Sequence, residues 1–158
     1  MSLIVDVSAD GVPVSIAMGR VRDIAAAVLR AERVRDALVS IAFVSRRRIA
    51  GMNARHLGYA GPTDVISFGL SRSPRAAARG AVVGDIYIAP DVARANAVRF
   101  GSSVRQELAR LVVHGTLHVL GYDHPDGDDR TASPMWRRQE RLLTSAAVRR
   151  ALGGGRAA

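Results

Sequence analysis

The chain has 158 residues, 48% of them hydrophobic and 23% charged, which suits one globular domain with a real core and is short for two. It holds no cysteine, so disulfides and thiolate metal sites are excluded, and histidine and carboxylates are left as metal ligands. The formal net charge is +9 and all 23 basic residues are arginine, a balance that favours polyphosphate partners through counterion release.

The first ten residues, MSLIVDVSAD, lack a basic stretch and carry Asp6 within the apolar run, so no secretory signal is expected there. Apolar runs such as 24–29 are far too short to span a bilayer, and a cytoplasmic protein without membrane contact is the expectation. LIVDV and VPVSIAM are predicted as two strands around the turn SADG. Residues 19–34 have helical spacing, with Val21, Ile24, Ala25, Val28 and Leu29 on one side. A strand is predicted over 37–45, and a short helix over 46–57 with Ile49, Met52 and Asn53 on one face. Strands follow at 64–70 and 82–89, separated by an Arg/Ser/Pro-rich loop, SRSPRAAARG. Pro90 opens a helix that runs to Gly101. Ser103 and Gln106 have the form of a capping box, starting a helix to Leu120 that Gly121 ends. DHPDGDD is a polar loop, and a last helix is predicted over 133–152 with Met135, Leu142, Leu143 and Ala146 inward. The order suggests one α/β or α+β domain over 1–152, with 153–158 as a flexible tail.

Three of the four histidines fall in HGTLHVLGYDH, residues 114–124. His114 and His118 stand at i and i+4, about 6 Å apart along a helix, and can face one ion. Gly121 breaks the helix, which lets His124 come back as a third ligand. Three imidazoles with a fourth position open is the catalytic rather than the structural arrangement for Zn²⁺, and water there ionises at a pKa of about 7. The spacing matches that of a large class of metallopeptidases, but Gly115 stands where those enzymes have their glutamate base. A base would have to come from Glu107, Asp123, Asp126, Asp64 or Asp85. Asp123, next to His124, is the expected acceptor behind a ligand. A metal hydroxide without a strong protein base can still attack a phosphodiester. Phe, Tyr and Trp total only seven, so no aromatic stacking platform is expected.

HGTLHVLGYDH resembles the signature of the YbeY family of bacterial rRNA maturation factors. GPTDVISF at 61–68 and GDIYIAP at 84–90 resemble two further segments of that family, and Asn53, Met135 and Glu140 match its Asn, Met and Glu. The resemblance runs from about residue 37 to 145. It implies a mixed sheet of about four strands packed with helices, the histidine helix central. It implies His114, His118 and His124 as ligands of one zinc ion, and single-strand-specific endoribonuclease activity. The implied role is maturation of the 16S rRNA 3′ end and quality control of late ribosomes. The implied partners are rRNA, the small ribosomal subunit, and ribosomal or GTPase proteins. One departure stands out. The family's Tyr-Arg pair after the Asn, whose Arg is thought to help cleavage, is here His56-Leu57, leaving Arg55 and His56 as candidate replacements beside a catalytic His114. A non-catalytic ribosome-binding factor with a structural zinc, and a metallopeptidase, are the competing readings.

Overall fold

In the computed structural model, residues 2–70 and 81–153 are described. Strands β1 (Leu3–Ala9), β2 (Asp36–Phe43), β3 (Val65–Gly69) and β4 (Ala81–Ile88) form one sheet in the order β1-β2-β4-β3. β1, β2 and β4 run parallel, and β3 lies antiparallel to β4 at an edge. Val39 pairs with Gly84, Ile41 with Ile86 and Phe43 with Ile88. Side chains alternate along strands, so these residues share one face, and all are buried.

Two helices cover that face. α1 (Met18–Ala31) buries Val21, Ile24, Ala25, Val28 and Leu29. α4 (Val104–Val119) packs on β3, β4 and α1, and also touches α3 (Pro90–Phe100) and α5 (Pro134–Thr144). The histidine helix is therefore the central one. A short α2 (Arg46–Met52) covers part of the opposite face, where Ile49 and Met52 cluster with Val44, Ile66 and Ala89. Ile4 and Leu38 on that face stay about half exposed, at 47% and 48%. A final helix, α6 (Ala146–Leu152), packs back on α1. The described residues thus form a mixed α/β domain of four strands and six helices.

Three expectations need correction. VPVSIAM is not a strand. β1 already pairs in parallel with β2, Pro13 has no N–H for a ladder, and the segment crosses to α1 with Ile16 buried beneath it. The helix over 46–57 changes at Asn53 into a π-turn, Asn53–Leu57, closed by Gly58 at φ 74°. The last helix breaks at Ser145, whose extended backbone and hydroxyl cap α6 through the Val148 N–H at 3.3 Å. The break rotates the inward side, so Val148 is buried and Ala146 exposed. The polar loop after His124 contains a 3₁₀ turn, Gly127–Ala132. The Arg/Ser/Pro-rich loop at 71–80 and residues 154–158 of the tail lie outside the described residues.

Candidate metal centre

α4 starts where the sequence predicts. Ser103 Oγ accepts the Gln106 N–H at 3.1 Å and Gln106 Oε1 accepts the Ser103 N–H at 3.2 Å. The helix packs against the sheet at two positions where side chains are missing. A Cβ on Gly115 would come 2.8 Å from Ile86 Cγ2, and one on Gly84 would overlap both methyls of Val119 and approach Phe68 O to 2.9 Å. With Gly115 against the sheet, His114 and His118 stand on a more open side of the helix, half-buried. Gly121, at φ 101°, then turns the chain, with its N–H donated to His118 O at 3.0 Å.

The turn returns His124 to the first two histidines. Its Nε2 lies 3.2 Å from His118 Nε2 and 3.4 Å from His114 Nε2. Each ring holds its other nitrogen against an oxygen. His114 Nδ1 is 2.6 Å from Gln139 Oε1, His118 Nδ1 is 2.9 Å from Tyr122 O, and His124 Nδ1 is 3.1 Å from Pro125 O. Those oxygens accept, so each ring carries its proton on Nδ1 and three Nε2 lone pairs converge without a donor between them. A cation resolves that crowding. Three nitrogens bonded at about 2.0–2.1 Å to a tetrahedral ion stand roughly 3.3–3.4 Å apart, close to the spacing found here. Burial holds His114 neutral by lowering its pKa to about 4, and burial also lowers that of His118. His114, His118 and His124 could therefore hold a metal ion.

His114 also forms part of the wall of a cleft of about 700 Å³, with Asp64, Glu107, Arg110, Arg130 and Gln139 among its other walls. Burial raises the pKa of both Asp64 and Glu107, although Arg110 opposes the shift at Glu107. Arg110 bridges Glu107 at 3.8 Å and Glu140 at 2.9 Å.

The family model described as Endoribonuclease YbeY matches residues 10–147. The chain belongs to the YbeY family. A YbeY endoribonuclease of Frankia alni is 38% identical over 149 residues, covering 88% of this chain and 81% of the relative. One of Syntrophus aciditrophicus is 33% identical, with 90% and 89% covered. The solution structure of TM1509 from Thermotoga maritima aligns with a TM-score of 0.62 over 96% of this chain and 93% of that one, at 24% identity, and so shares the fold. YbeY membership establishes an endoribonuclease fold family, hence a hydrolase acting on RNA, with a three-histidine site suited to a metal. No helix among the described residues is long and apolar enough to cross a membrane.

The other candidate residues lie in varied places. Arg55 is exposed and donates from Nε to Gly51 O at 3.3 Å. His56 is exposed and packs edge-on against Phe68 at 5.6 Å. Neither is among the residues lining the His114 cleft. Asn53 is buried and donates to Gly61 O at 3.0 Å, which steadies the segment before β3. Asp123 Oδ1 accepts the backbone N–H of His124 at 2.8 Å, so it holds the loop, while the His124 ring turns to Pro125 O. Asp85 accepts from Ser40 Oγ at 2.8 Å on the sheet face away from α4. Asp126 is exposed at the start of the 3₁₀ turn. Asp64 and Glu107 do reach the cleft.

Sequence reasoning overlooks Gln139. Its signal is a polar residue inside the apolar stripe of α5, between Met135 and Leu142, where all three are buried. The carbonyls of Tyr122 and Pro125 carry no sequence signal, because every residue supplies one.

Proposed function

We propose that this protein is a zinc-dependent endoribonuclease that cuts single-stranded RNA, acting on the 3′ end of 16S rRNA and on late small ribosomal subunits in the cytoplasm. The observation that carries the reading is the convergence of three imidazole nitrogens beside an open, arginine-lined cleft. In this reading His114, His118 and His124 hold the ion, and Gln139, Tyr122 O and Pro125 O keep their rings oriented. When bound, zinc supplies charge stabilisation for phosphoryl oxygens and ionises water near neutral pH. Asp64 and Glu107, with raised pKa values, are the cleft groups able to hold or pass a proton. Arg55 and His56 retain a place as contacts for RNA entering from beside α2. Ribosomal proteins and a GTPase are the protein partners proposed with this role. A metallopeptidase is disfavoured, since the position of its glutamate is packed against Ile86.

Two results are expected. His118→Ala, which leaves two ligands, should lose most of its zinc by elemental analysis and lose cleavage of a labelled single-stranded RNA. Equal cleavage by parent and variant purified in parallel would sink the reading. RNA affinity should also fall steeply with salt, tenfold or more for a few phosphate contacts between 50 and 200 mM. A flat salt response would mean that the +9 charge serves something else.

A further inference from the structure

The cleft that begins at His114 carries two aromatic rings, each beside an arginine. On α3, Arg99 Cζ lies 5.4 Å from the centroid of Phe100, a residue that is 69% exposed. Across the cleft, Arg130 Cζ lies 5.9 Å from the centroid of Trp136, and Arg110 Cζ lies at the same distance. All five residues line this one cleft. Arg110 is neutralised by Glu107 and Glu140. Among the described residues, Arg99 and Arg130 form no ion pair with a carboxylate. The cleft therefore offers two guanidinium groups that no described carboxylate pairs directly, Arg130 lying within the field of Asp64, and two aromatic rings along a path that ends at His114.

We propose that this cleft is the seat of the RNA strand next to the cut, with unpaired bases stacked on Trp136 and Phe100 and backbone phosphates held by Arg99 and Arg130. The proposal rests on the endoribonuclease reading above and specifies which side of the centre the substrate occupies. Stacking needs an exposed base face, which a duplex keeps hidden within its own stack. Single-strand selectivity then follows from the shape of the cleft and needs no base-specific contact. The protein has few aromatic residues, but two rings suffice for one or two nucleotides. A volume of about 700 Å³ is within the roughly 300–1,000 Å³ of small-ligand pockets.

Trp136 is the only tryptophan, so its fluorescence reports on this wall alone. The zinc-loaded full chain would be mixed in a stopped-flow instrument with single-stranded hexa-adenylate, and separately with a short blunt RNA duplex. The single strand should quench Trp136 rapidly, and the duplex should quench it little. Phe100→Ser and Arg130→Ser alter exposed side chains, so folding is preserved. Phe100→Ser should weaken binding about 5- to 100-fold, as expected for one lost base stack. Arg130→Ser should weaken binding and reduce its salt dependence. Trp136→Phe should keep most of the affinity that Trp136→Leu loses. Hexa-adenylate bound without quenching, or with an affinity unmoved by Phe100→Ser and Arg130→Ser, would overturn the proposal. Quenching and binding without RNA cleavage would instead overturn the nuclease reading and leave the strand site standing. Cleavage with KM unchanged in both surface variants would do the reverse.

Discussion

Gly115→Glu, which supplies the residue that metallopeptidases place after their first histidine, is expected to unfold the protein and confer no peptidase activity. Position 115 faces the sheet, and even a Cβ there would approach Ile86 Cγ2 to 2.8 Å. Ile86 is fully buried and β-branched, so it has little freedom to move. A glutamate would add an unpaired carboxylate to that overlap. Together the overpacking and the buried charge should cost on the order of 5 kcal/mol or more, comparable with the whole stability of a small domain. Gly115→Ala is the informative control. It gains about 1 kcal/mol of helix propensity against about 1–3 kcal/mol of overpacking, so a modest net loss is expected. Thermal melting followed by circular dichroism decides the matter. A Gly115→Glu protein melting within a few degrees of the parent would show that the helix can lift from the sheet.

The second large effect is expected at Gln139. Gln139→Leu should weaken zinc affinity about 10- to 100-fold, the usual consequence of losing the partner that orients a histidine ligand. The loss is specific to metal because the side chain also carries a cost: its Nε2 is buried with no hydrogen-bond partner among the described residues. Leucine removes that orphan donor together with the bond to His114, so the melting temperature of metal-free protein should change little. Gln139→Glu keeps an acceptor for the His114 Nδ1 proton and should hold zinc as well as the parent or better. Competition with a chromophoric chelator measures the affinity, and melting with and without zinc separates it from folding. Equal zinc affinity in the leucine variant would remove Gln139 from the site.

Much of this could be read in the residues alone. The histidine helix was legible because its cap, its i,i+4 pair and its terminal glycine are all local signals. The strands of the central sheet were legible from their apolar runs. The segment Val12–Met18 misleads because its alternation reflects burial of Val12, Val14 and Ile16 under a crossover, with no ladder beneath it. The break at Ser145 was missed because the apolar spacing runs on across it, and one hydroxyl cap decides the geometry. At the site, the three histidines that could hold a metal ion were legible in the sequence, but the oxygens behind them were not. Two are backbone carbonyls, and the third belongs to α5, 25 residues from its histidine. The cleft was hidden for the same reason, since α3, α4, α5 and β3 meet there only in the fold.

The closeness of α4 to the sheet has a consequence for mapping this protein by loss of function. At Gly84 and Gly115 the useful property is the absence of an atom, and neither residue offers a group to metal or RNA. In a saturation screen scored by activity, both should appear as intolerant as the histidines. Soluble yield would tell the two classes apart. Inactive histidine variants should accumulate as folded protein, whereas inactive glycine variants should disappear from the soluble fraction. The least permissive positions around this centre thus include two that determine how near a helix may come to a strand.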